Sequence, residues 1–214
     1  YLTYGGLYRE AWLELRGPAL VQDIYVTTPT THSACIELTL DGAPADARVR
    51  VELRSGAGAV VWQQEQSASE TAFAAQVPDA APWNTECPAL YTCTAVLLAA
   101  DGSELDRSST TFGFRTAEFR RDGFYLNGEK TFLRGLNRHQ CFPYVGYAAP
   151  ESMQREDARI LKEELGCNAV RTSHYPQSQY FLDECDRRGL LVFTEIPGWQ
   201  HIGGQGWKDQ AVEN

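Results

Sequence analysis

Between residues 17 and 116, apolar and polar positions alternate in short runs, and turn residues interrupt them roughly every 10 positions. Ile36, Leu38 and Leu40 share one parity, while Cys35, Glu37 and Thr39 share the other. Val49, Val51 and Leu53 alternate in the same way with Arg48, Arg50, Glu52 and Arg54. A period of two puts one face of each strand in a core and the other in water. Asp41-Gly42 and Asp101-Gly102 supply hairpin-type turns. The pattern predicts a seven-stranded antiparallel β-sandwich of the immunoglobulin-like kind, with Ile36, Leu38, Leu40, Val49, Val51 and Leu53 in its core. Trp83 and Tyr91 read as large core anchors. Isolated aromatic residues in sandwiches are far more often buried than sugar-stacking, and the same weighing applies to Trp62.

After Thr116 the periodicity changes. Phe124 to Leu126 and Lys130 to Leu133 flank Asn127-Gly128, a strong hairpin signal, and the second arm runs on to Arg138-His139-Gln140. Ser152 is placed to cap a helix that carries Met153, Ala158, Ile160, Leu161 and Leu165 on one side and stops at Gly166. Ala169 to Thr172 form an apolar run with an arginine in it, which His174-Tyr175-Pro176 ends, because the residue before a proline is pushed to extended geometry. Tyr180, Phe181, Leu182 and Cys185 fall at helical spacing before Arg187-Arg188-Gly189, and Leu190 to Phe193 form a second apolar run. Strand, helix, strand, helix, strand with apolar strands describes βαβ units of a parallel sheet.

The stretch Asn168 to Phe193 resembles the signature of glycoside hydrolase family 2. Asn168, Arg171, Thr172, Ser173, His174, Tyr175, Pro176, Phe181, Leu182, Asp186, Gly189 and Leu190 to Phe193 match it in register. TFLRGLNRHQ resembles the family's first barrel strand, and PWNTECPALYTCTAVLL resembles a segment of its sandwich. YGGLYREAWLEL resembles the last strand of the preceding jelly-roll sugar-binding domain. The resemblance implies a jelly-roll tail over residues 1–16, the sandwich over 17–116 and the start of a (β/α)8 TIM barrel over 117–214, with the fourth barrel strand not reached. RHQCFPYVGYAAPESMQ is similar to the β-galactosidase members rather than to the β-glucuronidase or β-mannosidase branches.

Composition narrows the function classes. A chain of 214 residues with 43% hydrophobic content can bury one or two cores. A formal net charge of −9, with no basic run, argues against a nucleic-acid or anionic-membrane surface, which needs clustered Lys and Arg. No apolar stretch of about 18 residues occurs, and the first residues lack signal-peptide character. The six cysteines contain no CxxC pair and no zinc spacing. Pairing Cys35 with Cys93 as an inter-sheet bridge fails on parity, because Cys35 is in phase with the outward Glu37 and Thr39. All six read as free thiols, which favours a cytoplasmic compartment.

In a TIM barrel the active site lies at the C-terminal ends of the strands. His139 ends the first strand, His174 ends the second, and Glu195, Trp199 and His201 follow the third, so three of the four histidines fall on one predicted face. Arg171 points either into the barrel or toward the helices, and a buried guanidinium needs a carboxylate. The resemblance implies the catalytic nucleophile as its partner; a structural ion pair with Glu195 is the alternative. Zinc ligation by the histidines lacks a close pair such as HExxH. Several galactosidases of the family bind magnesium through a glutamate and a histidine after the third strand. If His201 matches that histidine, Trp199 stands in the glutamate's place, so the metal site is expected to be absent or altered. No cofactor is expected, with magnesium in the parent enzyme left open.

The resemblance implies a retaining β-glycosidase acting on β-galactosides, with His139 and His174 donating to sugar hydroxyls, Arg171 orienting the nucleophile, Glu195 in the same subsite and Trp199 as an apolar wall. The family's acid/base follows an asparagine as Asn-Glu on the fourth strand. No such dipeptide occurs here, so the chain is expected to be a fragment without its catalytic residues, inactive alone. A homo-oligomer is compatible with the sequence. The alternative from another class is a non-catalytic carbohydrate-binding or scaffold module.

Overall fold

The parity of the first half of the sequence is the parity of its strands. A computed structural model describes residues 6–196, 198 and 200–213. They form two compact units, one spanning Leu13–Thr131 and one combining Phe132–Asn214 with the N-terminal residues up to Trp12.

The first unit contains β1 (Leu20–Thr30), β2 (Ser33–Asp41), β3 (Arg48–Ser55), β4 (Val60–Ser67), β5 (Ala72–Gln76), β6 (Tyr91–Leu98) and β7 (Glu104–Phe112). They make an immunoglobulin-like sandwich of two antiparallel sheets, ordered β1-β2-β5 and β4-β3-β6-β7. Ile36, Val49, Val51 and Leu53 are wholly buried, Leu38 nearly so, and Leu40 packs half-buried against them, while Arg50 reaches water. Each such aliphatic side chain contributes about 1.5–3 kcal/mol on burial. Tyr91, Phe112 and Phe114 close one part of the core, Phe114 meeting Tyr91 edge-on at 4.9 Å and Phe112 at 5.0 Å. The Tyr91 hydroxyl accepts from Ala81 N–H at 2.8 Å, so its polar end is satisfied.

Trp83 is buried beneath the Arg115 guanidinium, 4.5 Å from its ring, as a core residue. Gly113 has no side chain because a Cβ there would lie 2.5 Å from Trp83 Cβ. Trp62 is half-buried, edge-on to Phe73. All six cysteines are free. Cys93 lies inside the sandwich, where burial pushes its thiol up to about 12 and so keeps it unreactive.

Three short strands follow, β8 (Ala117–Arg120), β9 (Gly123–Leu126) and β10 (Glu129–Thr131), ordered β10-β9-β8. Asn127 (φ 53°) and Gly128 (φ 82°) take the positive φ that a tight hairpin demands at both central positions. Asn127 Oδ1 accepts from Thr116 N–H at 2.9 Å and Nδ2 donates to the Trp83 carbonyl at 3.0 Å, latching the hairpin to the sandwich. The second arm ends at Thr131 instead of running on as one strand.

In the second unit β11 (Gly135–Arg138), α1 (Glu151–Arg159), β12 (Ala169–Thr172), α2 (Gln179–Arg188), β13 (Leu191–Phe193) and α3 (Gln205–Glu213) follow in turn, with the three strands parallel in the order β11-β12-β13. This is the beginning of a TIM barrel; among the described residues no closed barrel is present. Gly135 lets β11 approach β12, since a Cβ would lie 2.4 Å from the Ala169 carbonyl oxygen. Ala158, Leu161, Val170, Phe181, Cys185 and Leu190 form the core between sheet and helices. Gly189 (φ 74°) terminates α2, and its N–H bonds the Cys185 carbonyl.

The start of α1 differs from the expected Ser152 cap. Pro150 occupies the cap with fixed φ, and its carbonyl accepts from Met153 and Gln154 N–H, so no side-chain cap is used. Beyond Arg159 the turns widen to π geometry over Ile160–Glu164, and Leu165 is turned out to solvent. Among the described residues before Leu20 no strand forms, and Trp12, Leu13 and Leu15 are exposed. No described helix is long and apolar enough to cross a membrane.

The buried and wet faces of β3 are separable by mutation. Leu53→Ala is expected to destabilise the chain by about 2–5 kcal/mol, and Arg50→Ala by less than about 1 kcal/mol, in urea unfolding. Equal costs would contradict the register.

Candidate active site

The guanidinium of Arg138 organises the strand-end face of the second unit. Arg138 is the buried residue of β11. Burial pulls its guanidinium below the ordinary arginine range and Asp157 opposes that pull, but an arginine keeps its charge in either case, so acceptors must surround it. Asp157 Oδ2 accepts from Nε at 2.8 Å and from a terminal nitrogen at 2.7 Å. Gln177 Oε1 accepts at 2.7 Å and Gln154 Oε1 at 2.8 Å, and the Phe181 ring centroid lies 3.9 Å from the guanidinium carbon. Gln177 Nε2 donates back to the Arg138 carbonyl at 2.6 Å, and Ser173 N–H reaches the same carbonyl at 3.0 Å.

The next residue but one is pinned as well. Gln140 is wholly buried, its Oε1 accepts from Ser178 N–H at 3.0 Å, and its N–H donates to the Tyr175 hydroxyl at 3.1 Å. Burial pushes that hydroxyl up to about 12, so it stays a neutral phenol. His139 is therefore bracketed by anchored Arg138 and Gln140, and His174 by Ser173 and Tyr175. The two imidazoles meet edge-on with ring centroids 5.3 Å apart.

Arg171 stands in register with Asn137 and Phe193 on the sheet face away from the helices, while Val170 joins the helix-side core. Its described partner is Glu195: Nε donates to Oε1, and Oε2 meets His174 Nδ1 at 2.9 Å. Burial pushes the Glu195 carboxyl up, but the hydrogen bonds from His174 and Arg171 outweigh it and hold the group below the usual carboxylate range. An ionised carboxylate only accepts, so His174 Nδ1 carries the proton in this contact. Thr172 splices the strand ends, its hydroxyl donating to the Phe193 carbonyl and accepting from Glu195 N–H, both at 3.2 Å. Asn168 ties the start of β12 to the chain entering β11, donating to the Phe132 carbonyl at 2.9 Å and accepting from Arg134 N–H at 2.7 Å.

His139, Arg171, His174 and Glu195 thus come together at the C-terminal ends of adjacent parallel strands. A groove of about 650 Å³ opens beside them, lined among others by Arg171, Phe193, Glu195, Ile196, His201 and Trp207. His201 stacks edge-on to Trp207 at 6.3 Å. Trp199 lies outside the described residues. Magnesium needs an oxygen-rich set; Glu195, the described carboxylate of the groove that also holds His201, is engaged by Arg171 and His174. Sequence reasoning singled out the histidines and Arg171 but passed over Arg138, Gln154, Gln177 and Thr172. The signal for Arg138 was present, since an arginine inside a barrel strand demands partners as much as Arg171 does.

Residues 19–115 match the model of the glycosyl hydrolases family 2, and residues 117–212 match that of its TIM barrel domain. The chain belongs to glycoside hydrolase family 2. A beta-galactosidase of Thermoanaerobacter pseudethanolicus is 43% identical over 224 residues, covering 100% of this chain and 30% of the relative. A beta-galactosidase of Thermoanaerobacterium thermosulfurigenes is 42% identical over 228 residues, covering 100% of this chain and 32% of the relative. Among solved structures, beta-glucuronidase 3 of Bacteroides uniformis superposes with a TM-score of 0.81 at 34% identity, over 98% of this chain and 27% of that one. The chain therefore spans about a third of the length of these relatives.

Two consequences of the site's geometry can be measured on the chain. Arg138→Ala leaves Asp157 without its counter-charge and is expected to cost about 3 kcal/mol. Arg138→Lys should recover little of it, because one ammonium cannot meet three planar acceptors; full recovery by lysine in urea unfolding would refute the clamp.

The second concerns acid. A carboxyl titrating below its unfolded value stabilises the fold above the unfolded range, and that stability disappears as pH falls through the folded value. Glu195→Gln should therefore cost about 1 kcal/mol near neutrality, a modest figure because Arg171 is half exposed. Its melting temperature should converge with wild type below about pH 4. Parallel curves throughout would remove this ion pair from the account.

Proposed function

We propose that this chain is part of a retaining β-glycosidase that hydrolyses terminal β-D-galactosides. The observation that carries the reading is the strand-end carboxylate Glu195 held between Arg171 and His174 beside His139, in a chain 43% identical along its whole length to a protein described as a beta-galactosidase. A β-galactoside is favoured over a β-glucuronide because two beta-galactosidases match the whole chain at 43% and 42% identity, while beta-glucuronidase 3 of Bacteroides uniformis matches at 34%.

Retaining hydrolysis uses two carboxyl groups about 5–5.5 Å apart, one protonating the leaving oxygen and one attacking the anomeric carbon. Glu195 is unsuited to the acid's role because it is held ionised, and unsuited to the nucleophile's because its two oxygens are engaged by Arg171 and His174. No other described residue lining the groove is a carboxylate. Both catalytic groups are accordingly assigned to barrel strands outside these 214 residues. His139 and His174 bind sugar hydroxyls, and Arg171 and Glu195 form the floor that orients the nucleophile. No cofactor is assigned.

Hydrolysis of an aryl β-galactoside by the full-length parent, beside the 214-residue chain, tests the reading. The parent should turn over and the chain alone should not. His174→Ala in the parent should lower kcat/KM about ten- to a hundredfold, as loss of a hydrogen bond to substrate does. Turnover by the chain alone, abolished by Glu195→Gln, would make Glu195 the catalytic carboxylate. A parent active only on β-glucuronides would move the reading to that branch.

A further inference from the structure

We infer that the loop after β11, residues 141–147, is the platform that receives the substrate's leaving group, with Tyr144 as its gripping ring; this rests on the glycosidase reading above. The loop follows the strand that ends at His139, so it belongs to the same strand-end face. It closes on itself. Phe142 N–H donates to the Gly146 carbonyl at 3.0 Å, Gly146 N–H to the Phe142 carbonyl at 2.9 Å, and Ala148 N–H to the Val145 carbonyl at 3.1 Å. This closure holds Tyr144 at φ 71°, a conformation that a bulky residue keeps only where its surroundings impose it.

Core packing does not account for that conformation. The Tyr144 side chain is fully solvent-exposed and Val145 is 41% exposed. Among the described residues no packing holds the ring, and strained positions of this kind cluster at ligand clamps. From the loop a series of rings leads to the histidines: Tyr147 lies 5.5 Å from Tyr175, Tyr175 lies 6.3 Å from His139, and His139 lies 5.3 Å from His174. Tyr8 flanks Tyr147 at 6.1 Å, and Arg9, stacked on Tyr8, donates to the Pro176 carbonyl.

The loop's chemistry defines what it takes. Residues 140–150, QCFPYVGYAAP, contain no charged side chain. The surface offers π-faces and C–H groups without an ion partner, which suits a flat uncharged aryl group or the apolar face of a second sugar and disfavours a charged leaving group.

The experiment uses the full-length parent and two variants. Tyr144→Asn removes the ring while tolerating the left-handed backbone, and Tyr144→Phe keeps the ring. The quantity read is the ratio of kcat/KM for an aryl glycoside to that for the methyl glycoside, in whichever sugar series the parent cleaves. The ratio should fall roughly three- to tenfold in Tyr144→Asn, through KM for the aryl substrate, and hold in Tyr144→Phe. An unchanged ratio in Tyr144→Asn, or equal losses on both substrates, overturns the platform. Cleavage of glucuronides alone defeats the galactoside reading and still tests the platform in that series; a parent inactive on every glycoside defeats both.

Discussion

A permanent positive charge cannot be left without acceptors in a protein interior, and that constraint at Arg138 ties the second unit together. Its acceptors come from separate places: Asp157 and Gln154 from α1, and Gln177 from the loop that carries the histidine of the second strand. None of these elements can shift without uncovering the guanidinium. The two imidazoles inherit their positions from this arrangement, because each sits one residue from a group anchored to it directly or through Gln140. Precision at the site comes from residues that do not face the groove.

The parity of Val49, Val51 and Leu53 made the sandwich legible, because one misplaced register would have put Arg50 in the core. The strand ends were legible for a similar reason. His139 and His174 follow apolar runs at corresponding points in successive βα units, and right-handed crossovers set such points side by side. Less could be read where the deciding partner is remote in sequence. The Thr172 hydroxyl serves Phe193 and Glu195, some twenty residues on, and Asn168 serves Phe132 and Arg134. Nothing in local pattern announces such pairs. Short strands such as β8 escape periodicity altogether, since four residues carry too little alternation to register. At Pro150 two local rules competed, a serine cap against a proline with preset φ, and the proline prevailed.

Glu195 shows how environment divides roles among chemically identical groups. The same side chain that could serve as acid, base or nucleophile is here saturated by one guanidinium and one imidazole, which keeps it ionised and immobile. It acts as a fixed negative charge that settles the orientation of its neighbours, much as a buried orienting carboxylate does behind a catalytic histidine. Family membership names the chemistry of the whole; these contacts say which part of it the present residues can carry.

The hairpin at Asn127-Gly128 has a consequence for chemical ageing. An asparagine followed by glycine is the pair most given to deamidation, because glycine leaves the next backbone nitrogen free to swing onto the side-chain carbonyl and close a succinimide. Here the side-chain oxygen is held by Thr116 N–H, the side-chain nitrogen by the Trp83 carbonyl, and Gly128 by the turn itself. Attack would have to break both latches first. The contacts that fasten the hairpin to the sandwich also shield its most perishable residue, and a deamidated Asn127 would mark molecules in which that fastening had already opened.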